Sequence, residues 1–187
     1  MDLVLASGSP RRAALLESLG LGFRIVVPDV DESRLPDEEP DHYVERIARL
    51  KVAVVDEPGA VVIAADTAVV HEGRVLGKPI HPAEARSMLS RLSGDRHAVF
   101  TGVAVASGET VSSTVERSLV RMTEMTDNEI DRYVASGEPI DKAGSYALQG
   151  LGAMFVESVD GSPSNVIGLP LHVAARLLRA HGIDPMR

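Results

Sequence analysis

Leu3-Val4-Leu5-Ala6-Ser7-Gly8-Ser9-Pro10-Arg11-Arg12 opens the chain with a short apolar run, a small-residue turn and a pair of arginines. The apolar run reads as a buried strand. Ser9 has the short side-chain oxygen of a good N-cap, and Pro10 the fixed φ of a good first helical residue. A helix-like stretch over 13–19 follows, with Leu15, Leu16 and Leu19 fixing how its start is presented. Strand, tight turn and helix start, in that order, predict an α/β protein. They also aim free backbone N–H groups and the positive end of a helix dipole at one point. Arginine opposes that dipole, so two of them in the first helical turn imply an anion, with phosphate the first candidate. An Arg pair on a surface helix is by default solvated. The strand–turn–helix setting favours capture instead, and the guanidinium fork suits two phosphate oxygens at once.

Outward from this stretch, strand-like and helix-like patterns alternate. Residues 23–27 read as a second strand, and an acidic, proline-containing loop over 31–40 precedes a helix over 41–55. There Val44, Ile47, Ala48 and Leu50 form an apolar face of helical period. Residues 59–65 read as a buried strand that ends at Asp66. Glu72-Gly73 is a hairpin signal leading into Val75 and Leu76. Pro82 opens a helix through Leu92. Strands over 97–106 and 110–122, split by Ser107-Gly108, suit an antiparallel pair. Thr126-Asp127-Asn128-Glu129 is a capping box for a helix through Ala135. Residues 137–152 are turn-rich, 153–159 read as a strand and 169–180 as a closing amphipathic helix. No repeat or linker interrupts the pattern. The expectation is one α/β domain over residues 1–187, a mixed sheet flanked by helices.

Composition narrows the function. The 187 residues are 44% hydrophobic and 25% charged, as in an ordinary globular protein. A net charge of −8 argues against binding a nucleic-acid polymer, which needs an extended basic surface. With 3% aromatics and no Trp, base-stacking platforms are not expected either. The absence of Cys excludes disulfides, thiolate metal sites and Cys nucleophiles. No stretch approaches the length of a membrane span, and the first apolar run is too short for a signal peptide. A cytoplasmic protein that makes no membrane contact is the expectation.

Several further residues carry chemistry. Asp66, after the run Val61-Val62-Ile63-Ala64-Ala65, falls where ligands of open α/β sheets gather. A partly desolvated carboxylate there can hold a divalent cation or take a proton from water; capping a turn is the competing role. Asp29, Asp31 and Glu32 lie just after the second strand, and one of them could complete a Mg²⁺ site with Asp66. Lys51 follows Ile47 on the apolar side of its helix, either snorkelling to solvent or serving as a cation for phosphate. Lys78 lies in the turn Gly77-Lys78-Pro79. No P-loop, no GxGxxG after a strand, no HExxH and no GxSxG is present, so covalent and zinc chemistry lack candidates.

Together these residues resemble the Maf family of nucleoside triphosphate pyrophosphatases. The resemblance runs nearly end to end. It is carried by the opening motif from Leu5 to Arg12, by Asp31-Glu32, by Lys51, and by Ala65-Asp66-Thr67 with Gly77-Lys78-Pro79. Ser93-Gly94 with His97, Thr101-Gly102-Val103, Asp141-Lys142-Ala143-Gly144, Gln149-Gly150 and Gly168-Leu169-Pro170-Leu171 complete it.

The resemblance implies a fold related to the inosine-triphosphate pyrophosphatases, with a deep nucleotide cleft. It implies that water attacks the α-phosphorus of a nucleoside triphosphate, releasing the monophosphate and pyrophosphate. Asp66 would be the general base, and Glu32 with Asp66 would hold a divalent metal, Mg²⁺ or Mn²⁺. Ser7, Arg12, Lys51, Lys78 and Lys142 would bind the triphosphate. Family members are often dimers, so a homodimer is expected. Arg11, Thr67 and Gln149 fit the branch of the family associated with dTTP and UTP, and the Gln149 amide could match the O4/N3 edge of uracil or thymine. Preference for N7-methyl-GTP, a broader specificity, and a nucleotide-binding regulator of cell division without turnover are the rival readings.

Overall fold

The computed structural model describes residues 2–186. Strand β1 (Leu3–Ala6) runs into helix α1 (Pro10–Glu17), followed by β2 (Arg24–Val26), α2 (Pro40–Ala53), β3 (Val61–His71), β4 (Arg74–Leu76) and α3 (Pro82–Leu92). Two long strands, β5 (Arg96–Ser107) and β6 (Thr110–Met122), precede α4 (Asp127–Ala135). Three 3₁₀ segments, Glu138–Asp141, Ala143–Ser145 and Leu151–Phe155, lead to β7 (Val156–Asp160), α5 (Pro163–Ile167) and α6 (Leu171–Ala180). Ser9 caps α1 and Pro10 is its first residue, while Thr126 and Glu129 close a capping box on α4, all as their types dictate.

The seven strands form one mixed sheet in the order β2-β1-β3-β5-β6-β7, with β4 paired to β3. β1 is parallel to both β2 and β3, whereas β4 and β7 are antiparallel to their neighbours. The chain therefore leaves β1 toward one side through α1 and returns past it through α2. That reversal makes the carboxyl end of β1 a topological switch point, where open sheets bind ligands. Right-handed crossovers place α1 and α2 on opposite faces of this part of the sheet.

Two compact units make up the chain. The first comprises residues through Thr67, Thr101–Glu116 and residues from Gly168; the second comprises Ala68–Phe100 and Arg117–Ile167. In the first, α2 packs Ala48 and Val52 on Val4, Ala6, Val62, Ala64, Ala104 and Ala106. These small side chains allow close approach. At Gly102 of β5 a Cβ would lie 2.3 Å from the Val44 carbonyl oxygen of α2, so only glycine fits there. In the second, α3 and α4 contribute Met88, Leu89, Leu92, Ile130 and Tyr133 to a core with Val120, Met122, Tyr146 and Phe155.

Beyond shifts of a residue or two at element ends, three features differ from expectation. Asp66 does not end its strand: β3 continues to His71. The strand goes on because, after β1 is exhausted, it turns back through Glu72 and Gly73 to pair with β4. Both turn residues have positive φ, 48° and 74°, as a two-residue hairpin demands. Asp66 nevertheless lies past the end of β1, whose Leu5 pairs with Ile63. Residues 153–155, expected in a strand, are 3₁₀. The five-residue α5, hidden among Ser, Pro and Asn, has no visible apolar period.

Candidate active site

The turn after β1 is built by short polar side chains. Ser7, buried, accepts the Ser9 N–H on Oγ at 3.2 Å, and Ser9 Oγ accepts the Arg12 N–H at 3.5 Å. The Arg12 side chain then reaches three acceptors. Its Nε donates to the Gly168 carbonyl at 2.8 Å, Nη2 to Thr67 Oγ1 at 3.1 Å and Nη1 to Ser7 Oγ at 3.4 Å. Thr67 Oγ1 also lies 2.9 Å from the buried Thr101 Oγ1. Desolvation pulls the Arg12 guanidinium below its ordinary pKa, opposed by attraction to Asp66 and reinforced by the neighbouring Arg11.

A second group converges on Lys51. Burial of Val44, Ile47, Ala48 and Val52 draws the same face of α2 inward, so Lys51 is 4% exposed and does not snorkel. Its Nζ donates to Asp66 Oδ1 at 2.7 Å and pairs with Glu32 Oε1 at 2.8 Å. Asp66 is 6% exposed, so removing the lysine would leave a buried carboxylate without its counter-charge. Consecutive strand residues project to opposite faces. Asp66 thus meets Lys51 from α2, and Thr67 meets Arg12 from α1.

Glu32 is presented by an exposed loop that α2 fastens. The Tyr43 hydroxyl donates to the Glu32 carbonyl at 2.9 Å, and Arg46 Nη2 donates to the Ser33 carbonyl at 3.0 Å. Arg46 also grips Glu38 through two bonds of 2.6 and 2.8 Å, holding that carboxyl down at about 2. Burial, with the charges of Asp66 and Glu32, pushes the Tyr43 phenol up to about 12. Neither Tyr43 nor Arg46 was singled out in the sequence. Their signal was an i,i+3 pair on the helix that follows the acidic loop.

Two carboxylates within bonding distance of one lysine nitrogen fit a divalent cation held jointly with phosphate oxygens, the usual arrangement for Mg²⁺. Among the described residues no cluster of three or more His, Cys, Asp or Glu could hold a metal unaided. Ser7, Arg12, Glu32, Lys51, Asp66 and Thr67 all belong to the first unit, and Arg11 lies half-buried on α1. Lys78, Lys142 and Gln149 belong to the second. There Lys78 and Gln149 are exposed, and Lys142 Nζ donates to the Glu138 carbonyl and to Asp141 Oδ1.

A family model described as Maf-like protein matches residues 2–181. The chain belongs to the Maf family. Maf relatives named dTTP/UTP pyrophosphatase include one from Anaeromyxobacter dehalogenans (strain 2CP-C), 54% identical, with 96% of this chain and 94% of the relative covered. Another, from Hahella chejuensis, is 48% identical over 97% of this chain and 92% of its own. A third, from Bacillus cereus (strain AH820), is 45% identical over 97% and 96%. Among solved structures, the Staphylococcus aureus Ham1 protein superposes with a TM-score of 0.51 at 17% identity, covering 97% of each chain. That likeness establishes the fold, and the helix-flanked mixed sheet expected of a Maf protein is the one found. Among the described residues no helix is long and apolar enough to cross a membrane.

Proposed function

We propose that this Maf protein hydrolyses dTTP and UTP to the nucleoside monophosphate and pyrophosphate. The observation that carries the proposal is the buried Asp66 carboxylate, held by Lys51 beside Glu32, one residue from the Thr67 that binds Arg12. Phosphoryl transfer needs positioning and charge neutralisation more than a protein nucleophile. The cationic and carboxylate groups supply both.

Water attacks the α-phosphorus, the bond to the β-bridging oxygen breaks, and pyrophosphate leaves. Lys51 holds Asp66 Oδ1, so the water's proton passes to the other carboxylate oxygen, a general-base contribution on the order of 10²–10⁴ in rate. Arg12, Lys51 and Ser7 bind the triphosphate. The family resemblance alone assigns Lys78 and Lys142 to the same ligand. Glu32 and Asp66 would hold Mg²⁺ or Mn²⁺, which when bound neutralises charge on the phosphate oxygens. Arg11, Thr67 and Gln149 make up the pyrimidine-branch signature, with the Gln149 amide suited to both a donor and an acceptor on the base. A single functional domain, a cytoplasmic setting and a homodimer, which sedimentation would detect, belong to the same proposal.

The test is pyrophosphate release from dTTP, UTP, CTP and N7-methyl-GTP with Mg²⁺ and with Mn²⁺. Turnover should be fastest with dTTP and UTP, and Asp66→Asn should abolish it while nucleotide still binds. Preference for the methylated purine would overturn the pyrimidine assignment. Binding without any turnover would leave a nucleotide-dependent regulator.

A further inference from the structure

We propose that Thr67, Thr101 and the Gly168 carbonyl form a cradle for the Arg12 guanidinium, and that Thr67 is a positioning residue acting through Arg12 on the triphosphate. Its membership of the pyrimidine-branch signature then does not come from touching the base. The proposal rests on the pyrophosphatase reading for its activity measurements only.

A guanidinium has five N–H donors in a rigid plane. Gly168, Thr67 and Ser7 take one each from Nε, Nη2 and Nη1. One N–H therefore remains on each terminal nitrogen for phosphate oxygens. The acceptors come from three separate places, the end of β1, the middle of β3 and the residues before α6, so they fix the plane as well as the charge.

Thr67 Oγ1 is committed on both sides, accepting from Arg12 and bonding Thr101 Oγ1. Thr101 is fully buried, where a hydroxyl is held in place by its bonds. Gly168 adds an independent observation. Its φ of +127° is a conformation that L side chains rarely adopt, and an added Cβ would sit 3.5 Å from Thr67 Oγ1 and 3.6 Å from Arg12 Nε. The glycine lets its carbonyl turn to the arginine without a side chain entering the cradle.

A base-free probe separates the cradle from base recognition. Thr67→Val keeps the shape and removes the hydroxyl. It should weaken binding of inorganic tripolyphosphate, measured by calorimetry, about ten-fold. It should also lower kcat/KM for dTTP, UTP, CTP and N7-methyl-GTP by one common factor, leaving their ratios unchanged. Thr67→Ser should restore both. Thr101→Val should act in the same direction and Thr101→Ser should not, which keeps the test open if Thr67→Val fails to fold. A change in nucleotide preference with tripolyphosphate affinity intact would overturn the proposal, as would unchanged affinity in both valine variants. If the wild-type protein binds tripolyphosphate but hydrolyses no nucleotide, the pyrophosphatase reading fails and the binding data still decide the cradle.

Discussion

His97 is 2% exposed, with Nε2 2.7 Å from the Tyr146 hydroxyl and Nδ1 without a hydrogen bond among the described residues. Burial, with the nearby His71, drives its pKa down to about 4, against a smaller opposing pull from Asp95. The folded state therefore favours the neutral ring. Below the unfolded value near 6.5 the unfolded chain binds the proton more readily, so stability falls as pH drops from about 6.5 to about 4, by up to roughly 3 kcal/mol. Melting temperature across that window should fall more steeply for the wild-type protein than for His97→Gln; parallel curves would refute the assignment. At this scale the sequence was informative where a charge interrupts an apolar pattern, as at Lys51 and Asp66, or opposes a helix dipole, as at Arg12. Nothing in the sequence marks Gly168 as a partner of Arg12, or Thr101 as the partner of the Thr67 that binds it. A buried hydroxyl and a glycine carbonyl carry no distinctive signal, and Gly168 is 156 positions from the arginine it holds.

Among the elements, α2 does more than cover the sheet. It carries Lys51 on its buried face, while Tyr43 and Arg46 fasten the loop that presents Glu32. Removing the Tyr43 hydroxyl with Tyr43→Phe, or the clasp with Arg46→Ala, should raise hydrogen exchange over residues 31–38 without ligand. Each should also raise the Mg²⁺ concentration needed for half-maximal turnover several-fold. Exchange unchanged in both variants would show that the loop holds its shape unaided. Caps, prolines and apolar periods made nearly every element legible. The boundary of β3 was not, because Asp66 and Thr67 break the apolar run that defines a buried strand. Their polarity answers to the site, and strand pairing with β4 overrides it.

For the whole molecule, the two compact units were invisible in the sequence for a physical reason. The chain passes between them inside β3 at Thr67, inside β5 at Phe100 and inside β6 at Glu116, as well as at Ile167. Three of these crossings lie within paired strands, so no linker composition marks them. A ligand that binds only the folded protein should stabilise it by about 2.7 kcal/mol at 100 times its Kd. For a chain of this size, that corresponds to a rise of roughly 5–10 °C in melting temperature. Tripolyphosphate should produce that rise in the wild-type protein, and Arg12→Ala should largely remove it; an equal rise in the variant would place the anion elsewhere. A last consequence follows from Lys51. An ammonium offers three protons; Asp66 takes one in a hydrogen bond, and Glu32 pairs with the charge. A further proton is enough for one oxygen of an anion, which can arrive and leave while both carboxylates keep their hold. The buried Asp66 carboxylate then keeps its counter-charge whether or not an anion is bound, and no buried charge has to be exposed and covered again.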